Sequence, residues 1–95
     1  MSLSHATDNN YLLLAIESTQ DSIIAGNLGN DMAMLDNLES AKDFTSYANE
    51  KGKNPHLQRA IDNLGEAISH IIAGNIKESI KDATNALYQL RHIDN

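Results

Sequence analysis

The chain has no cysteine, no tryptophan, one proline and one phenylalanine, and each shortage closes off a class of protein. Without cysteine there is neither a disulfide framework nor a thiolate metal site. No stretch approaches the ~18 apolar residues of a membrane span. The longest apolar run, Tyr11 to Ile16, belongs to an amphipathic pattern, so membrane insertion is not expected. Basic residues are also scarce: 7 Lys and Arg, scattered singly, stand against 13 Asp and Glu, for a net charge of −6. A nucleic-acid binder needs a basic face to displace counterions from phosphates, so no nucleic acid is expected as a partner. The aromatics Tyr11, Phe44, Tyr47 and Tyr88 are too scattered to form a stacking platform.

What is present is a repeat. Ile23-Ile24-Ala25-Gly26-Asn27 recurs letter for letter as Ile71-Ile72-Ala73-Gly74-Asn75. Each copy reads as the end of an apolar-striped helix, a glycine stop and an asparagine that starts the next helix. Two such helical hairpins make four helices, and 95 residues leave room for one small domain with one core.

Taken in order, residues 1–6 read as a leader or a disordered N-terminus. They lack the basic and apolar regions of a signal peptide, and an expression leader in place of one is an equal reading. Leu12, Ile16, Thr19 and Ile23 keep one face of a first helix from about Asp8 to Ala25, widened by Leu13 and Ile24. Asn27 can cap a second helix, with Gly29-Asn30-Asp31 as another start one turn later. Its face is Leu28, Met32, Leu35, Leu38 and Ala41, continued by Phe44, Tyr47 and Ala48. The linker at residues 51–55 carries charge, Gly52 and Pro55, and divides hairpin 8–51 from hairpin 55–93.

Asn54-Pro55 marks the start of a third helix, asparagine at the cap and proline where its missing N–H costs nothing. Leu57, Ile61, Leu64, Ile68 and Ile71 form its seam, flanked by Ala60 and Ala67. Gly65 inside it calls for a close neighbour or simple tolerance. Asn75 with Glu78 resembles a capping box for a fourth helix, whose seam is Ile76, Ile80, Ala83, Leu87 and Leu90. The economical solution is an all-α, antiparallel up-down-up-down four-helix bundle spanning residues 7–95.

No catalytic constellation is present: no nucleophile with base and orienting acid, no HExxH, no phosphate-cradling loop, so the chain is not expected to be an enzyme. A ferritin-like di-iron site needs Glu-x-x-His pairs, and Glu66 to His70 has the wrong spacing. Met32 and Met34 could offer thioethers but read better as core and surface filling. Histidine is the informative residue, at His5, His56, His70 and His92. On the bundle, His5, His56 and His92 fall at one end. His56 and His70 lie ~21 Å apart along one helix and cannot share an ion. His56 and His92, with Glu50 or Asp94 as an oxygen donor, could form a divalent-metal site, against the alternative of solvated terminal imidazoles. Two polar stripes run at a step of seven, His56, Asn63, His70 and Asn75, Asp82, Gln89, each one residue before a seam position.

The run from Pro55 to His70, then Ala73-Gly74-Asn75 and the closing Ala86-Leu87-Tyr88-Gln89-Leu90-Arg91, resembles the second hairpin of the small metal-binding protein family. The duplicated Ala-Gly-Asn turn resembles that family's Ala-Gly-His turn, and the two-hairpin plan matches over nearly the whole length. The resemblance implies a periplasmic, histidine-rich bundle that binds divalent transition metals, in which histidines recur on the step of seven. Position by position, His56 and His70 keep that pattern, while Asn63, Asn75, Asp82 and Gln89 stand where histidine is implied. Asn27, Met34 and Ala41 do so in the first half. The expectation is at most weak binding of a divalent transition metal (Cu, Ni or Zn) through His56, His70 and His92. The protein would be exported and monomeric or weakly dimeric, with a cytoplasmic location left open. The alternative is a structural or protein-interaction bundle without a ligand, docking an unidentified partner through Tyr11 and Leu14 or Phe44 and Tyr47.

Overall fold

The computed structural model describes residues 3–93, with side chains from Asn10 onward. Four helices account for nearly all of it: α1 (Leu3–Asn27), α2 (Asp31–Lys51), α3 (Pro55–Ile72) and α4 (Ile76–Arg91). α1 packs on α2 and α4, and α3 on α2 and α4, so the helices form a closed ring of antiparallel neighbours 44 × 20 × 17 Å in extent. This is the four-helix bundle expected from the seams. α1 begins at Leu3, earlier than the expected Asp8.

The two hairpins turn by the same device. At the first, the Asn30 N–H donates to the Ala25 carbonyl at 2.9 Å and the Gly29 N–H to the Gly26 carbonyl at 3.0 Å. At the second, the Asn75 N–H donates to the His70 carbonyl at 2.8 Å and the Gly74 N–H to the Ile71 carbonyl at 3.1 Å. Both are Schellman closures, which require a left-handed residue, supplied by Gly29 at φ +75° and Gly74 at φ +84°.

The literal repeat is therefore out of register with the structural one. Gly74 stops α3 as expected, but its counterpart is Gly29, and Gly26 stays inside α1. α2 accordingly takes the later start, where the Asn30 side chain accepts from the Ala33 N–H at 3.1 Å. The identical letters are 48 positions apart, whereas Gly29-Asn30 and Gly74-Asn75 are 45 apart. The buried positions follow the step of 45: Leu12, Ala15, Thr19, Ser22 and Gly26 in α1 match Leu57, Ala60, Leu64, Ala67 and Ile71 in α3. Met34, Leu38, Ala41 and Thr45 in α2 likewise match Ser79, Ala83, Ala86 and Leu90 in α4.

In this register Leu12, Thr19, Leu38, Ala41 and Ala48 are buried as expected in the first hairpin, while several of its large apolar residues are not. Leu13 and Ile24 on α1 are exposed, and Leu28 and Met32, expected in the α2 face, are both 79% exposed. Met34 is fully buried, so the two methionines lie on opposite faces. The core is instead built largely from small side chains. Ala15, Ala41, Ala60, Ala67, Ala83 and Ala86 are fully buried, with Thr19, Ser22, Thr45 and Ser79. Mirroring positions about each turn sets large against small: Gly26 opposite Met34, Ser22 opposite Leu38, Leu64 opposite Ala86, Ala60 opposite Leu90. That alternation lets antiparallel helices approach closely without voids.

The buried hydroxyls are satisfied within the bundle. Thr19 Oγ1 donates to the Ala15 carbonyl and Thr45 Oγ1 to the Ala41 carbonyl, both at 2.7 Å. Ser22 Oγ donates to the Thr19 carbonyl at 2.6 Å. Ser79 Oγ crosses from α4 to the Ala67 carbonyl of α3 at 2.7 Å. Among the described residues, no buried side-chain nitrogen or oxygen lacks a partner. Thr19 and Thr45 fall between two apolar clusters, one around Met34, Leu38, Leu64 and Ile71 and the other around Leu12, Leu57, Ala60 and Leu90.

The two in-helix glycines have opposite roles. A Cβ on Gly26 would lie 2.7 Å from Met34 Sδ and 2.9 Å from Ile80 Cγ1, whereas one on Gly65 meets only Lys42 Nζ at 3.9 Å. Gly26→Ala is expected to destabilise by about 1–3 kcal/mol through overpacking. Gly65→Ala should stabilise by up to about 1 kcal/mol through helix propensity. Urea unfolding of both variants checks the pair, and equal effects would contradict the packing at Gly26. The caps differ in the same way. Asn54 accepts from the His56 N–H at 2.8 Å, while Asn75 makes no side-chain cap bond, contrary to the expected capping box. Asn54→Ala should cost about 1 kcal/mol and Asn75→Ala clearly less by the same measurement.

Candidate metal centre

His56, His70 and His92 belong to the second hairpin, and the way α3 and α4 face each other sets the partners of the first two. His56 and His70 sit one residue before the buried Leu57 and Ile71 of α3, which puts them on the flank turned toward α4. The α4 flank bears Asp82 and Gln89, each one residue before the buried Ala83 and Leu90. Antiparallel packing brings these flanks together, and both imidazoles take their partners from it. His70 Nδ1 lies 2.5 Å from Asp82 Oδ2, and His56 Nδ1 lies 2.8 Å from Gln89 Oε1. The His70 side chain is 36% exposed and that of Asp82 15%, so the pair is sheltered on the carboxylate side and open on the imidazole side.

His92 caps the end of α4. Its backbone N–H donates to the Gln89 carbonyl at 3.2 Å, and its ring Nδ1 lies 2.6 Å from the Tyr88 carbonyl oxygen. The ring packs on that of Tyr88 with centroids 4.0 Å apart. In all three histidines, Nδ1 is the ring nitrogen that meets an acceptor. A neutral imidazole holds a proton on one nitrogen and a lone pair on the other, so an acceptor at Nδ1 directs the lone pair to Nε2.

The shared site at the open end is not assembled as a cage. His56 and His92 are directed to different partners, Gln89 and the Tyr88 carbonyl, and Glu50 is exposed. Asp94 lies outside the described residues, as does the side chain of His5. Among the described residues, no three or more His, Cys, Asp or Glu side chains are grouped to hold one ion. The donors therefore fit a divalent transition metal as separate imidazoles, with the remaining coordination positions left to other ligands. They do not fit an enclosed site of three or four protein donors.

The contacts of His70 with Asp82 and of His56 with Gln89 are the pairings that sequence reading missed. Part of the signal was present: two polar stripes run at the same step of seven on helices that a three-residue turn makes antiparallel. The step of 45 also corrects the first hairpin. The counterparts of His56, Asn63 and His70 are Tyr11, Ser18 and Ala25, and those of Asn75, Asp82 and Gln89 are Asn30, Asn37 and Phe44. Asn27, Met34 and Ala41 do not occupy those places. Tyr47, the counterpart of exposed His92, packs its ring on Tyr11 with centroids 5.4 Å apart. Where the second hairpin carries His56 and His92, the first carries tyrosines, and His70 is matched by Ala25. Of the docking strip expected there, Tyr11, Leu14 and Phe44 are half-buried and Tyr47 is exposed.

No helix among the described residues is long and apolar enough to cross a membrane. No curated protein matches the chain. The bundle of two helical hairpins agrees with a family assignment that covers essentially the whole length: residues 1–93 match the small metal-binding protein family, and the chain belongs to it.

Proposed function

We propose that this protein is a non-enzymatic bundle that binds divalent transition metal ions weakly and at low capacity through the Nε2 atoms of His70, His92 and His56. The observation that carries the reading is that each ring meets its intramolecular acceptor through Nδ1. A histidine that ligates a metal ordinarily gives its other nitrogen to a carboxylate, carbonyl or water, and all three rings are already so engaged. Membership of the small metal-binding protein family supplies the class of ligand. The lack, among the described residues, of three donors grouped to hold one ion supplies the qualification, since single imidazoles hold a divalent ion far less tightly than sites with three or four protein ligands. A periplasmic location follows from the same family resemblance and belongs to this proposal. So does the absence of catalysis, which rests on a sequence without a nucleophile and base in a recognisable pattern.

The test is calorimetric titration of tag-free, metal-free protein with Cu(II) and Ni(II), repeated on His56→Ala, His70→Ala and His92→Ala. Dissociation constants on the order of micromolar or weaker, with binding reduced by individual substitutions, are expected. Heat no greater than the buffer blank would overturn the metal reading. It would favour an interaction bundle, for which the exposed Leu28, Met32 and Ile72 beside the two turns are the apolar surface on offer.

A further inference from the structure

The three imidazoles are not equivalent, and the difference lies in what holds Nδ1. His56 faces a neutral amide oxygen at 2.8 Å, His92 a backbone carbonyl at 2.6 Å, and His70 a carboxylate at 2.5 Å. An ionised carboxylate can only accept, so the proton of neutral His70 has to reside on Nδ1. A side-chain amide imposes no such rule, because rotation by half a turn offers an NH2 group in place of the oxygen. The backbone carbonyl at His92 also fixes the proton on Nδ1, but it belongs to the last turn of an exposed helix end and carries no net charge. Asp82 sits in the middle of α4 beside the fully buried Ala83, on rigid backbone at both sides of the contact.

We infer that Asp82 is a positioning residue that locks His70 as the Nδ1–H tautomer, aims Nε2 at solvent and makes His70 the tightest metal-binding imidazole of the chain. The inference rests on the metal-binding reading above and deepens it. A carboxylate on the far side of the ring raises the donor strength of Nε2 and removes the cost of choosing a tautomer when the ion arrives. It also stabilises the partial positive charge that the ring acquires on coordination. The position that the family resemblance assigns to another histidine is thus occupied by a group that serves the remaining one. The neighbourhood is mixed in charge: His70 shares the rim of an open groove between α2 and α3 with Lys42, Asp62 and Glu66. The carboxylate that contacts the ring comes from the other side, on α4.

The experiment uses the full chain, uniformly 15N-labelled and metal-free, as wild type, Asp82→Asn, Asp82→Ala and His56→Ala. Long-range 1H–15N spectra, recorded where the rings are neutral, assign the protonated nitrogen of His70. Titration with Zn(II), which is diamagnetic, then gives the affinity at each ring. Wild-type His70 is expected as Nδ1–H and as the tightest ring. Asp82→Ala should turn His70 into a tautomer mixture and weaken Zn(II) there by about 10-fold or more. Asp82→Asn retains an acceptor oxygen and should fall between. His56→Ala should leave His70 unchanged, and the amide spectrum of each variant shows whether the bundle is intact. A wild-type His70 protonated on Nε2, or Zn(II) affinity at His70 unaffected by Asp82→Ala, overturns the inference and leaves the metal-binding reading standing. Absence of Zn(II) binding at every ring of the wild type overturns both.

Discussion

Two left-handed glycines set the geometry on which everything else depends. Gly29 and Gly74 are the points where the chain can reverse with its last carbonyls satisfied, and each fixes the height at which the following helix begins. Once the turn is placed, antiparallel packing dictates which side chains share a level, and therefore which must be small. At Gly26 the missing side chain leaves room that Met34 of α2 and Ile80 of α4 fill, and Met34 reaches it because the turn lies three residues beyond Gly26. The contact between His70 and Asp82 is a product of the same placement. It joins residues 12 apart across the second turn, and a turn made at a different residue would break it.

The sequence was a good guide to helix number, to the division into hairpins and to the seam of α3, where Leu57, Leu64 and Ile71 are buried as the spacing implies. It misled where large residues and buried residues part company. Leu12, Thr19, Leu38, Ala41 and Ala48 of the expected faces are buried, but Leu13, Ile24, Leu28 and Met32 are exposed, and Ala15, Ser22, Met34 and Thr45 complete the face that packs. Hydrophobic periodicity weighs a side chain by its size. Burial in a tightly spaced bundle rewards a small side chain, because the neighbouring backbone occupies the room a large one would need. The letter-for-letter repeat misled for a related reason. Five identical residues are a strong pattern, but a helix ends where its carbonyls find donors, and that occurred one turn later in the first hairpin.

The site was legible in its parts and not in its pairing. His56, His70 and His92 stood out by residue type, and the step of seven put Asp82 and Gln89 on a comparable stripe. What the sequence did not supply was the relative height of α3 and α4, without which no stripe can be matched to another. For the shared site supposed for His56 and His92, each ring gives Nδ1 to its own acceptor, and among the described residues no three donors are grouped to hold one ion.

Every donor and every partner in this arrangement stands on a flank, while the seam that holds the helices together is built from other residues. Histidines can be added to or taken from the flank without disturbing the alanine-rich core, since a substitution at position 63, 75 or 89 changes no buried residue. Stability and ligand capacity are therefore written in separate registers of the same helix. The scaffold behaves as an adjustable rack: the residues along its flanks can change one at a time while the core that sets its shape stays the same.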